Sequence, residues 1–84
     1  MVRIVLAEDE DILLRSLALK IQRLWPEAQI VAQCSDGESA LEAMLTHQPD
    51  VAFLDIQMGQ LSGLEVAQFM RNHCKLVLVT AYEQ

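Results

Sequence analysis

The stretch that most constrains the fold of this chain is Val51-Ala52-Phe53-Leu54, which runs without interruption into Asp55 and then into a short loop carrying Gly59 and Gly63. Consecutive apolar residues put apolar side chains on both faces of a strand, as in a strand buried on both sides of a parallel sheet. Asp55 falls where that strand ends, at the carboxyl edge where open α/β sheets place their ligands. A carboxylate there is costly unless something charged meets it.

The other segments repeat the pattern. Arg3 to Ala7 reads as a first strand and ends in the acids Glu8-Asp9-Glu10-Asp11. Ile12, Leu13, Leu14, Leu17, Ile21 and Leu24 recur at helical steps, with Asp11 the expected N-cap and Trp25-Pro26 the stop. Gln29 to Cys34 predicts a second strand, Ser35-Asp36-Gly37 a turn, and Glu38 to His47 a second helix. After Gln48-Pro49-Asp50 comes the strand that ends at Asp55. Leu64, Val66, Ala67, Phe69 and Met70 predict a third helix through about Asn72, and Lys75 to Val79 a fourth buried strand that closes on Thr80-Ala81. This β-α-β-α-β-α-β order implies one α/β domain, a parallel sheet with right-handed crossovers and helices on both faces.

Composition narrows the function. The 84 residues suit one small domain, and 52% hydrophobic content with 3 Gly and 2 Pro indicates a globular chain. A net charge of −6 argues against binding DNA, RNA or anionic lipid through general charge. Cys34 and Cys74 are isolated, and no secretory leader or membrane-length apolar stretch is present, so a cytoplasmic, reducing setting is expected. Both cysteines read as small buried hydrophobes. His73 beside Cys74 lacks the spacing of a zinc site.

In a parallel sheet the loop after each strand lies at one edge. Strand one would bring Glu8 and Asp9 there, strand three Asp55 and strand four Thr80. Taken singly, each has an ordinary explanation: a solvated helix start, a turn cap, a strand end. Their joint arrival is informative, because three clustered carboxylates repel one another unless a cation sits among them. Oxygen donors with room for water suit Mg²⁺. A carboxylate beside Mg²⁺ and open to solvent can attack a phosphoryl group and form an acyl phosphate.

The chain resembles a response-regulator receiver domain of two-component signalling. The resemblance rests on Glu8-Asp9 after strand one, on Phe53-Leu54-Asp55-Ile56-Gln57-Met58, on Gly63 eight residues beyond Asp55, and on Thr80-Ala81. It covers essentially the whole chain. That Phe53-to-Met58 segment, Ser62-Gly63-Leu64-Glu65 and Val79-Thr80-Ala81-Tyr82-Glu83 are most similar to receivers joined to LytTR-type DNA-binding domains. The resemblance implies a flavodoxin-like three-layer fold and a phosphorelay role, not a conventional enzyme. It implies Asp55 as phosphoacceptor, with Mg²⁺ held by Glu8, Asp9, Asp55 and the backbone carbonyl of Gln57. Thr80 is implied as the hydroxyl that contacts the phosphoryl group, with the small Ala81 leaving room for it. The implied partners are a sensor histidine kinase and, through an output domain outside these 84 residues, DNA.

Three departures from the family pattern stand out. Glu8 replaces the commoner Asp, and Gly59 stands where the family usually has Pro. The third is that the family's fourth helix, fifth strand and fifth helix lie outside these residues, and with them a lysine that pairs with the phosphoryl group. Residues 1–84 are thus expected to be the N-terminal part of a receiver, with strand four at a sheet edge that favours dimers or oligomers. An alternative is an interaction module that does not switch on phosphorylation. A haloacid-dehalogenase phosphatase is disfavoured because Gln57 replaces the second acid of Asp-x-Asp, and a dinucleotide-binding domain because no Gly-x-Gly-x-x-Gly follows strand one.

Overall fold

The computed structural model describes residues 1–79, ordered as β1 (Arg3–Ala7), α1 (Asp11–Leu24), β2 (Gln29–Cys34), α2 (Gly37–His47), β3 (Val51–Asp55), α3 (Gly63–Met70) and β4 (Lys75–Val79). The strands form one parallel sheet in the order β2-β1-β3-β4. Alternation along each strand divides the core in two. Ile4 and Leu6 meet Leu14, Ala18 and Ile21 of α1 on one face. Val5, Ala7, Ala52 and Leu54 meet Ala40 and Met44 of α2 and Val66 and Met70 of α3 on the other. This is the flavodoxin-like α/β arrangement with helices on both faces.

The register fixes what lies together at the carboxyl edge. Ala7 pairs with Cys34 on one side and Leu54 on the other, and Asp55 pairs with Val79. The ends of β1, β3 and β4 are therefore level. The amino ends are tied as well: the Arg3 N–H donates to the Asp50 carboxylate at 2.8 Å, and the Asp50 N–H to the Arg3 carbonyl at 2.9 Å.

Helix boundaries follow local chemistry. α1 stops at Leu24 because Pro26 pushes Trp25 out of the helical region, to φ −139°. The N-cap of α1 is Glu10 and not Asp11, which is the first helical residue. Glu10 makes no side-chain cap, and its own N–H donates to the Glu8 carboxylate at 2.9 Å. Asp36 caps α2 by accepting from the Ser39 N–H at 2.7 Å, and that bond holds its carboxyl below the usual range. α3 opens with a reciprocal pair between Ser62 and Glu65, a Ser-x-x-Glu capping box. It ends at Met70, two residues short of the Asn72 expected, as the chain turns and the His73 N–H donates to the Met70 carbonyl.

Along α1, Leu14, Ala18 and Ile21 face the sheet, while Ile12 and Leu24 are 81% and 83% exposed. One packing expectation needs correction: β4 is not buried on both sides. Val77 and Leu78 are exposed, because β4 is an edge strand among the described residues and pairs only with β3.

Candidate functional site

β1 leads into Glu8, whose N–H donates to the Cys34 carbonyl at 3.0 Å, so the start of the acidic turn is anchored to the end of β2. β3 ends in Asp55. The side chains of Glu8, Asp9 and Asp55 converge so that a carboxylate oxygen from each lies within 4.8 Å of the others. Glu8 and Asp55 are buried and Asp9 is exposed. The cluster is thus rooted in the protein and open on one side.

Its electrostatics are unfavourable as it stands. The Glu8 carboxyl is pushed up from 4.5 to about 7, first by burial. The Glu10 N–H opposes this, while hydrogen bonding to Asp9 and the charge and hydrogen bonding of Asp55 add to it. Among the described residues, no cationic side chain is one of the groups that shift it. A set of three carboxylates with one face open fits a hard divalent cation, which takes oxygen donors and keeps water ligands.

The loop after β3 finishes the site. The Gln57 N–H donates to Asp55 Oδ1 at 3.3 Å, and the Ile56 N–H to the Val79 carbonyl at 3.2 Å. Gly63 closes the loop beneath Asp55: a Cβ at this position would lie 1.9 Å from the Asp55 carbonyl oxygen. Gly59 has φ +73°, a conformation closed to proline, so the departure at this position changes the path open to the loop.

Glu8, Asp9 and Asp55, reached from sequence alone, are thus brought together, with the backbone of Gln57 beside them. Thr80 and Ala81 lie outside the described residues. Lys20 is within α1, and Lys75 pairs with Val51 at the opposite, amino edge of the sheet, so neither stands at the acidic cluster. Cys34 is buried and Cys74 half-buried, both free, and burial pushes both thiols up. Cys74 and His73 line a cleft of about 330 Å³ at the amino edge with Met44, Pro49 and Met70. Among the described residues, Glu8, Asp9 and Asp55 are the sole group of three His, Cys, Asp or Glu side chains placed to share an ion.

Fold and site together define a parallel α/β domain that gathers acids at its carboxyl edge. The response regulator receiver domain family matches residues 4–84, and the chain belongs to that family. An uncharacterized response regulatory protein of Vibrio cholerae is 43% identical over 83 residues, which cover 95% of this chain and 32% of that relative. The sensory transduction protein LytT of Bacillus anthracis is 32% identical, over all of this chain and 35% of its own length. Among solved structures, the receiver domain of AraT, a response regulator from Geobacillus stearothermophilus, superposes with a TM-score of 0.88 at 31% identity, covering 96% of this chain and 65% of that one. A DNA-binding response regulator of the LuxR family from Staphylococcus aureus gives 0.88 at 28% identity, covering 100% and 72%. The chain spans about a third of the length of these curated relatives.

Proposed function

We propose that Asp55 accepts a phosphoryl group from the phosphohistidine of a sensor histidine kinase, with Mg²⁺ held by Glu8, Asp9, Asp55 and the backbone carbonyl of Gln57. The observation that carries this reading is the convergence of the three carboxylates around the end of β3. A carboxylate oxygen of Asp55 forms a bond to phosphorus as the nitrogen–phosphorus bond to the donor breaks. The electron pair returns to the imidazole, and an acyl phosphate remains on Asp55. When bound, a divalent cation supplies positive charge to the phosphoryl oxygens and to the three carboxylates. The Gln57 N–H orients Asp55 through Oδ1. Thr80 directly follows Val79, the partner of Asp55 in the sheet, and we assign it the hydrogen bond to the phosphoryl group.

In this reading residues 1–84 are the N-terminal part of a cytoplasmic receiver whose output is transcriptional. The support is the regulators among its relatives and the net charge of −6, which leaves DNA contact to a different part of the protein. No helix among the described residues is long and apolar enough to cross a membrane.

The direct test is to incubate the protein with acetyl phosphate and Mg²⁺ and map the modified residue by mass spectrometry. Label on Asp55 is expected; label confined to other residues would overturn the assignment.

The metal assignment has a thermodynamic signature. Glu8 holds its proton more tightly folded than unfolded, so the native state carries the extra proton between about pH 4.5 and 7. Without metal, stability is therefore expected to fall as pH rises through that window. The ceiling is roughly 3 kcal/mol, lowered by water's access to the open side. Mg²⁺ should restore the loss, by about 2.7 kcal/mol at one hundred times its Kd, and more at about pH 8 than at about pH 5. Melting curves with and without millimolar Mg²⁺ at the two pH values check this. Equal midpoints in all four conditions would remove the site.

A further inference from the structure

We propose that Gly37, the first residue of α2, is a positioning residue for phosphoryl acceptance at Asp55 and acts through the backbone of Leu61. The proposal rests on the phosphoacceptor reading above and adds a residue to it. A Cβ at position 37 would lie 2.0 Å from the Leu61 carbonyl oxygen, 2.8 Å from its carbonyl carbon and 2.9 Å from its Cβ. These are backbone atoms or the root of a side chain, so none can swing aside. Leu61 belongs to the loop that joins Asp55 to α3, the same loop whose Gln57 N–H holds the Asp55 carboxylate. Leu61 also packs against the core beside the fully buried Met58.

The first turn of α2 is well placed to fix that loop, because it is itself fixed. Asp36 caps it at 2.7 Å, and Cys34 Sγ contacts the Ser39 carbonyl at 3.6 Å. The Cys34 carbonyl in turn receives the Glu8 N–H. One short segment, Cys34 to Ser39, therefore touches both acid-bearing strand ends: Glu8 through Cys34, and the loop after Asp55 through Gly37. The geometry also separates this role from ordinary helix stability. Gly37 does not have positive φ, so its backbone is open to any residue, and inside a helix Ala is the better former. Local propensity thus favours Gly37→Ala, whereas the contact with Leu61 forbids it.

A misplacement of about 1 Å near reacting atoms costs up to about a hundredfold in rate. Gly37→Ala is expected to lower the first-order rate of Asp55 labelling, at saturating acetyl phosphate and Mg²⁺, by about tenfold. Half-saturation by the donor should not change. The control is Ala40→Gly, which weakens the same helix at a buried position without adding an atom against Leu61. It should leave the rate within about twofold. The Gln57 amide resonance should shift, and its hydrogen exchange speed up, in Gly37→Ala alone. A wild-type labelling rate in Gly37→Ala overturns the proposal, as does an equal loss in Ala40→Gly. If Gly37→Ala fails to fold, Leu61→Gly removes the Leu61 Cβ from this contact and frees the loop backbone without adding volume, and an unchanged rate there overturns the proposal too. If the wild-type protein takes no label at Asp55, the phosphoacceptor reading fails by itself. The Gln57 amide then decides the contact: displaced in Gly37→Ala supports it, unmoved refutes it.

Discussion

Asp55→Asn is expected to bring acyl-phosphate formation at this position down to background while the fold persists. Asn matches Asp in shape, so the Gln57 N–H keeps an oxygen acceptor and β3 keeps its pairing with Val79. What is lost is the anionic oxygen that attacks phosphorus. An amide at this position neither attacks nor carries the charge. The same change relieves the cluster. Asp55 contributes, by charge and by hydrogen bonding, to the elevation of the Glu8 carboxyl, so its removal should let Glu8 titrate nearer 4.5. Two carboxylates repel less than three, and the metal-free variant is expected to be as stable as the wild type or more stable by about 1 kcal/mol. In a domain of this size that raises the melting midpoint by roughly 4–8 °C. Intact-mass measurement after acetyl phosphate treatment and a thermal melt check both halves. Undiminished label on the variant would show that the acceptor lies elsewhere.

Gly63→Ala should cause the largest loss of stability at the site. The added Cβ would stand 1.9 Å from the Asp55 carbonyl oxygen, 2.8 Å from its carbon and 3.2 Å from the Ile56 Cα. All three are backbone atoms at the end of a paired strand, so either β3 or the start of α3 must move. Overpacking of this kind costs about 3 kcal/mol, which lowers the midpoint by roughly 12–24 °C. Displacement of Asp55 should slow labelling as well. Gly59→Ala is the informative contrast. Nothing lies within 4 Å of a Cβ there, and only the φ of +73° opposes the change, a strain of about 1 kcal/mol. Urea unfolding of the two variants separates close approach from backbone strain. Equal losses would contradict the contact at Gly63.

Most of the site was legible because its residues sit at strand ends, and strand ends are marked by where apolar runs stop. Ile4-Val5-Leu6 stopping before Glu8, and Phe53-Leu54 stopping at Asp55, identify the two edges. Parallel connection then forces both to the same side. Gly37 was legible only as a turn residue, and its approach to Leu61 joins segments with no sequence relation. The N-cap of α1 was misplaced by one residue for a similar reason: the acid that receives the Glu10 N–H is Glu8, already part of the carboxylate cluster.

By itself, the sequence determined the element order, the parallel sheet and the three acids at one edge. Each of these follows from short-range periodicity and from the handedness of β-α-β connections. Tertiary structure alone decided the exposure of Ile12 and Leu24, which depends on which elements lie across from them and not on their own apolarity. It likewise decided the elevation of Glu8. That arises first from burial, then from Asp9 beside it and from Asp55, which is 47 residues away in the chain and brought near only when β1 and β3 pair.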